Sequence, residues 1–268
     1  MTNSERNDVT LTVLTPYWNE AEILPDFLAH IRKLSERPLA PRVQWILIDS
    51  WSSDRGPSQV DQFLEEIAQL GSTRISLYHL RPEKPHPLGP SIGRALNLVL
   101  STSAAKGQWV QVLPADCQFT LQTFDSLMSQ LPHMKSRWFA CDKQYRPSTW
   151  SLKLHAGLQN SIRLGLFGRA VWTNAMGVSA TLLREAQFPE MGFMEDSLWC
   201  DQLRGQLGRP AHFSSIEVSA RRYYPNRILR RILTNAVVIS LYRLARSLRV
   251  IPIERVLPSL RRIYLYLR

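Results

Sequence analysis

The residues of this 268-residue chain whose types and places could do chemistry are a few acids. Asp116 closes the run 108–118, Gln-Trp-Val-Gln-Val-Leu-Pro-Ala-Asp-Cys-Gln, a β-type stretch. A carboxylate at a strand end can hold a divalent cation or sit beside a phosphate-bearing ligand. It can equally cap the helix that follows, and the same two readings apply to Asp49, which ends the apolar run 43–48. Glu195 and Asp196 are adjacent acids that open a helix, where the helix dipole favours negative charge whether or not they do chemistry.

These positions need a scaffold that brings them to one edge. Residues 11–16 alternate β-branched and apolar side chains and predict a strand that stops at Pro16. A helix over about 21–34 follows, with Ile23, Leu24, Phe27, Leu28 and Ile31 on one face. Next come a strand at 43–48, a helix at 58–70, a strand at 74–80, a loop at 81–90 holding Pro82, Pro85, Pro87 and Pro90, a helix at 91–103, and the 108–118 run as fourth strand. This alternation predicts an α/β fold with a mostly parallel sheet and helices on both faces. Ligands of such sheets bind at the carboxyl ends of the strands, where Pro16, Asp49 and Asp116 stand. The second half reads as a helix at 121–131, a strand at 137–144, a helix at 149–166, a strand within 168–179, a helix at 194–207, a strand at 211–219, and two helices over roughly 226–248 and 253–267. The expected organisation is a disordered stretch 1–9, an α/β domain 10–220 and a basic amphipathic helical tail 221–268.

Charge separates the last two parts. Of the chain's 33 Lys and Arg and 22 Asp and Glu, residues 221–268 hold 12 arginines and one acid, Glu254, leaving 21 basic and 21 acidic groups in residues 1–220. The whole net charge of +11 therefore belongs to the tail. A cationic segment that is also apolar suits an anionic membrane surface, here through residues 226–268, with nucleic acid ranked second. The plainer alternative is helices packed on the domain with their arginines in water. No run reaches the roughly 18 apolar residues of a membrane span, and residues 1–8 lack the apolar core of a secretory signal. The expected location is cytoplasmic, at the inner face of the membrane. Cys117, Cys141 and Cys200 are odd in number and without metal-type spacing, which argues against a disulfide framework; the six histidines show no paired spacing, which argues against zinc.

Four motifs, in order, resemble the family-two glycosyltransferases: Leu-Thr-Val-Leu-Thr-Pro-Tyr-Trp-Asn-Glu at the first strand, Ile-Leu-Ile-Asp-Ser-Trp-Ser-Ser-Asp at the second, Leu-Pro-Ala-Asp at the fourth, and Met-Glu-Asp before a late helix. The run Ser-Ala-Arg-Arg-Tyr-Tyr-Pro-Asn at 219–226, with its arginine-rich helix, is similar to a small bacterial subgroup of that family. The resemblance covers about residues 10–250 and implies the A-type nucleotide-sugar fold, Rossmann-like, and inverting transfer of a sugar from a nucleotide-diphosphate donor to a hydroxyl acceptor. It implies that Pro16, Asn19, Glu20 and Asp49 line the nucleotide pocket, that Asp54 closes its loop, and that Asp116 is the surviving acid of a metal-binding pair for Mg²⁺ or Mn²⁺. Asp196 matches the general base, supported by Glu195 through mutual elevation of carboxylate pKa. Arg94 belongs to the loop before the third helix, where Gly89, Gly93 and Asn97 are also kept in shifted form; Arg221 and Arg222 would clamp phosphate oxygens. A membrane-bound tail would favour a lipid-linked acceptor.

The chain also departs from that pattern. Pro114 stands where relatives carry an acid or histidine, Ser-Trp-Ser-Ser-Asp-Arg-Gly replaces a glycine-rich turn, and Trp172-Thr173-Asn174 replaces a Gly-Asp-Gln-like segment. A second reading follows, a catalytically degenerate protein of the same fold that binds membrane or partner. A nucleotidyltransferase would need a glycine-rich loop with a lysine after the first strand, and Tyr17-Trp18-Asn19-Glu20 supplies neither.

Overall fold

The computed structural model describes residues 9–71, 74–81, 91–102, 104–183, 185, 187–223, 228–248 and 253–267. The expectations for residues 1–8, for the proline-rich loop 82–90 with Gly89, and for Tyr224-Pro225-Asn226 lie outside the described residues.

Strands β1 (Leu11–Tyr17), β2 (Val43–Asp49), β3 (Ser76–Leu80) and β4 (Trp109–Val112) pair in parallel in the order β3-β2-β1-β4. Every residue of β1, β2 and β4 is buried because both faces of the sheet are covered. Leu11 and Val13 of β1 and Trp45 and Leu47 of β2 point into one core layer, closed by α1 (Leu24–Ser35), α2 (Gly56–Leu70) and α4 (Leu121–Gln130). Leu14, Ile46 and Ile48 point into the other, closed by α3 (Ile92–Ser101), the short α6 (Ala180–Leu183) and α7 (Glu195–Leu207). Helix α1 buries Phe27, Leu28, Ile31 and Leu34, the i, i+3, i+4 pattern that its sequence displays.

The sheet continues as β7 (Gly177–Ser179), antiparallel to β4, then β6 (Trp138–Arg146), β8 (Ala211–Ser219) and the two-residue β5 (Cys117–Gln118), with β6 and β8 parallel. The outcome is an eight-stranded, mostly parallel sheet between helical layers, as expected.

Three local expectations change. The 108–118 run is not one strand: β4 stops at Val112, and Cys117 N–H bonds to Pro114 O at 2.9 Å to turn the chain, so Asp116 lies on a turn four residues past the strand end. Pro114 has no N–H to extend a ladder. Strand β1 runs through Pro16 to Tyr17, because β4 pairs no further than Leu14, so Pro16 faces only β2 as a ladder neighbour. Helix α1 starts at Leu24 rather than 21, after a turn in which Glu20 O accepts from Ile23 and Leu24 N–H at 3.0 Å each.

Helix α5 (Trp150–Leu158) passes into a π-helix, Gln159–Leu166. The tail forms α8 (Ile228–Leu248) and α9 (Ile253–Leu267), and Tyr242, Leu257 and Leu260 pack with Leu198 of α7 in a separate small core. The Tyr242 hydroxyl donates to Asp201 Oδ2 at 3.1 Å, and Arg246 Nε lies 3.4 Å from the same oxygen. Leu229, Leu233, Val237, Leu241 and Leu244 remain exposed on α8, as do Trp150, Leu154, Leu158, Ile162 and Leu166 along α5 and its π-helical extension. Among the described residues no helix is long and apolar enough to cross a membrane.

Candidate active site

The loops after β1 and β2 lock together through side chains that the sequence singles out. Asn19 adopts a left-handed backbone (φ 52°); its N–H donates to Ser52 Oγ at 2.9 Å and its Oδ1 accepts from Ser53 N–H at 2.8 Å. Asp54 accepts from Ala21 N–H and from Gly56 N–H, both at 2.9 Å, tying the turn before α1 to the start of α2. Asp49, buried at the end of β2, accepts from Ser52 N–H at 2.9 Å. Beside it Tyr17, His79 and Asp61 form a relay. His79 Nδ1 lies 2.6 Å from Asp61 Oδ1, and its Nε2 lies 2.7 Å from the Tyr17 hydroxyl. Burial, followed by the charge of Asp49, pushes the Tyr17 hydroxyl above its usual range.

Asp116 is positioned from the other end of the chain. Ser219 N–H bonds to Asp116 O at 2.8 Å and Cys117 pairs with Val218 of β8, so the turn Ala220–Tyr223 hangs directly over the acid. Arg222 then bridges two carboxylates, Asp116 Oδ2 at 3.2 Å and Glu20 Oε1 at 3.3 Å, while Arg221 pairs with the other oxygen of Glu20. Residues 20, 116, 221 and 222 thus form one ion network. Cys117 donates its thiol to Asp116 Oδ1 at 3.5 Å; burial, then that acid, raise the thiol well above normal and keep it protonated.

The two acids of α7 diverge. Glu195 is buried and accepts from the Ser91 hydroxyl, from Gly93 N–H at 2.9 Å and from Gly192 N–H at 2.6 Å, so it fastens the start of α3 to the loop before α7. Gly93 is required there: a Cβ would stand 1.9 Å from Pro189 O. Arg94 is buried and donates to Glu190 O at 3.4 Å, and Asn97 brackets Phe188, so these residues hold the 188–190 loop. Asp196, partly exposed, takes Ser197 N–H on Oδ1 at 2.6 Å. The Trp172-Thr173-Asn174 turn serves packing: Trp172 joins Phe188 and Trp199, and Asn174 Nδ2 bonds to Cys141 O at 2.9 Å.

Sequence reasoning missed a second wall. Lys143 on β6 is only 5% exposed, with Nζ 6.0 Å from the centre of the Tyr145 ring. Burial and then Arg163 pull its pKa down to about 7, against the pull of Cys117 and Asp196. The Tyr145 ring stacks on His155 at 5.9 Å and its hydroxyl meets that of Tyr223 at 3.2 Å. Burial, then Lys143 and Arg163, lower His155 to about 4, so it is neutral at pH 7. One signal was available: Phe139, Cys141, Lys143 and Tyr145 share the inward register of β6, and a lysine among three core residues is out of pattern. Among the described residues no three His, Cys, Asp or Glu are grouped to hold a metal. Asp116 offers one a single carboxylate, and its two oxygens are taken by Arg222 and the Cys117 thiol, so a cation would have to displace Arg222 and share substrate phosphates.

No protein-family model matches the chain and no curated protein matches it in sequence. Solved structures do match. A mannosyltransferase from Pyrobaculum calidifontis, solved with GDP-Man and Mn²⁺, superposes with a TM-score of 0.64 at 19% identity, covering 96% of this chain and 69% of that one. TarS 1-349 from S. aureus gives 0.59 at 14% identity over 86% and 66% of the two chains. Glucosyl-3-phosphoglycerate synthase from Mycobacterium tuberculosis, solved with Mn²⁺, UDP and glucosyl-3-phosphoglycerate, gives 0.52 at 18% identity over 79% and 70%. The likeness establishes the A-type nucleotide-sugar fold for this chain.

Proposed function

We propose that the chain is a family-two glycosyltransferase of the arginine-rich subgroup, moving a sugar with inversion from a nucleotide-diphosphate donor to an acceptor hydroxyl. The observation that carries this reading is the ion network past the carboxyl ends of β1 and β4, where Glu20, Asp116, Arg221 and Arg222 meet from distant parts of the chain, with Asp49 at the carboxyl end of the adjacent β2. Neighbours of this fold solved with GDP-Man and Mn²⁺ or with UDP and Mn²⁺ support the choice of ligand.

In this reading the nucleoside lies along Pro16, Asn19 and Asp49, on a loop that Asp54 holds shut. Mg²⁺ or Mn²⁺, bound jointly by Asp116 and the diphosphate, would neutralise charge on the leaving group. Arg221 and Arg222 can turn from Glu20 and Asp116 to phosphate oxygens, exchanging one set of charge-assisted bonds for another. Lys143 adds a cation on the same side. Asp196, with an oxygen beyond its Ser197 contact, takes the acceptor proton, and Glu195 acts as a positioning residue that fixes the turn of α7 carrying it. Exposed apolar residues of α8 with Arg230, Arg243 and Arg246 set the tail on an anionic bilayer at the cytoplasmic face, bringing the site to a lipid-linked acceptor.

Thermal shift against nucleotide-diphosphate sugars with and without Mn²⁺ tests donor binding, because a ligand of the folded state raises its melting temperature. Asp196→Asn is expected to keep that shift and to lose transfer by roughly 10²–10⁴-fold. Unchanged transfer would remove the assigned base. Sedimentation with anionic liposomes is expected to fall for Leu233→Asp with Val237→Asp; equal sedimentation would detach the tail from the membrane. The pairing of Asp116 with Arg222 and the absence of an acid at Pro114 favour a second reading, a degenerate member of the fold. Absence of donor binding with every sugar would select it.

A further inference from the structure

A small cleft opens between the π-helix, α7 and α8, lined by Arg163, Arg169, Ser197, Asp201, Tyr242 and Arg243 among others, with about 250 Å³ of free space including its mouth. Arg169 N–H bonds to Arg163 O at 2.8 Å, and Gly168 at φ 60° makes the turn that brings both arginines to the cleft. Arg243 comes from α8. None of the three makes an ion pair among the described residues, and Arg163 Nε is buried without a hydrogen-bond partner. The one acid of the lining, Asp201, is already engaged by Tyr242 and Arg246. Burial, then Arg169 and Arg163, lower Arg243 against Asp201, and burial lowers Arg163, with Asp196 opposing it.

We propose that this cleft is a phosphoryl-binding subsite formed by Arg163, Arg169 and Arg243 with the Ser197 hydroxyl, and that it seats the phosphate of a phosphorylated acceptor. Three converging guanidiniums are costly in the absence of an anion. A phosphate monoester brings a charge of roughly −1.5 to −2 and three acceptor oxygens, matching forked donors from several sides; a carboxylate brings one charge and two oxygens. Most of that space is open mouth, so the phosphate would sit at the entrance of the cleft, where the arginines reach solvent. Its place sets the use: Ser197 follows Asp196 in the first turn of α7, so an anchored phosphate holds the rest of the acceptor beside the proposed base. Ile162, Leu166 and Phe167 next to Arg163 and Arg169, and Leu241 and Leu244 next to Arg243, expose apolar side chains suited to a hydrocarbon chain on that phosphate. The acceptor role rests on the glycosyltransferase reading; the subsite does not.

The test titrates inorganic phosphate into the full chain by calorimetry, against chloride at equal ionic strength, in wild type, Arg169→Gln, Arg243→Gln and Asp116→Asn. Arg243 is exposed on its helix, so its replacement leaves the fold in place. Affinity is expected to fall by roughly tenfold or more in both arginine variants, each losing a charge-assisted fork, and to persist in Asp116→Asn. Equal binding by wild type and both arginine variants, or equal heats with chloride, overturns the subsite. Glycerol 3-phosphate and phosphatidate vesicles then distinguish a soluble from a lipid monoester, either one supporting the assignment. Phosphatidylserine vesicles bound as tightly as phosphatidate by wild type and Arg243→Gln alike would count against it. Donor binding measured on wild type and Arg243→Gln separates the two readings: phosphate affinity lost in the variant with donor binding retained supports the cleft as a site apart from the donor pocket, donor binding without arginine-dependent phosphate binding overturns only the cleft, and arginine-dependent phosphate binding without any donor overturns only the transferase.

Discussion

The loops after β1 and β2 and the wall built from β6, the π-helix and α8 face related chemistry with opposite balances of charge. In the first, Asn19, Asp49 and Asp54 bond to backbone N–H groups of the same two loops, so the polar atoms are satisfied before any ligand arrives. In the second, Lys143, Arg163, Arg169 and Arg243 gather with little acid to answer them. The first region is preorganised and its polar groups stabilise the fold. The second carries charge at a cost to folding, which fits a surface that an anion completes.

The largest effect expected from this contrast is at Lys143. Its pKa of about 7 in the fold lies below the 10.5 of an unconstrained lysine, so between those values the unfolded chain binds more protons and stability rises with pH. Below pH 7 the buried charge carries its full penalty, up to about 5 kcal/mol, because each tenfold change in proton affinity corresponds to about 1.4 kcal/mol. Lys143→Met is therefore expected to be more stable than wild type at pH 6, with the advantage shrinking as pH rises through 7 towards 10.5. Urea denaturation of both proteins at about pH 6 and about pH 9.5, on either side of most of that change, measures it. A variant destabilised equally at both values would show that the lysine is compensated by partners. The same variant is expected to bind nucleotide diphosphate more weakly, separating what the fold needs from what the ligand needs.

The contrast also explains what could be read from the chain. The order β1-α1-β2-α2-β3-α3-β4 is legible because β1 and β2 are apolar on both faces and α1 repeats its apolar residues every three or four positions. Asn19, Asp49 and Asp54 stand out in the sequence only through the motifs they belong to; their backbone partners on the two neighbouring loops emerge from the fold. The bridge from Glu20 to Arg221 and Arg222 is not legible, since nothing local says that residues 201 and 202 positions apart will meet. It depends on β8 lying between β6 and the two-residue β5, too short to announce itself in sequence. The three-residue β7 falls at the end of the expected strand region 168–179, and the π-helix has the composition of an ordinary amphipathic helix. The arginine cleft requires α8 to dock on α7, a contact made by Tyr242 and Leu198 that no periodicity predicts.

A smaller effect of opposite sign is expected on the other side of the comparison. Asp54→Ala removes both acceptors that join the turn before α1 to the start of α2, leaving Ala21 and Gly56 N–H without a protein partner. Two hydrogen bonds to a charged group are worth more than two neutral ones, but Ala21 lies in a part-exposed turn where water can replace the carboxylate, whereas Gly56 is buried at the start of α2. The net loss is expected to be about 2 kcal/mol. Asp54→Asn keeps the size of the side chain but only one of its two acceptor oxygens, so it can satisfy either Ala21 or Gly56 N–H and not both. It is expected to recover roughly half of the loss. Urea denaturation of the two variants beside wild type checks the series. Full recovery by the asparagine would mean that residue 54 acts through its bulk against Gly56, where an added Cβ would stand 2.9 Å from Asp54 Oδ1, and not through the pair of bonds that closes the two loops on each other.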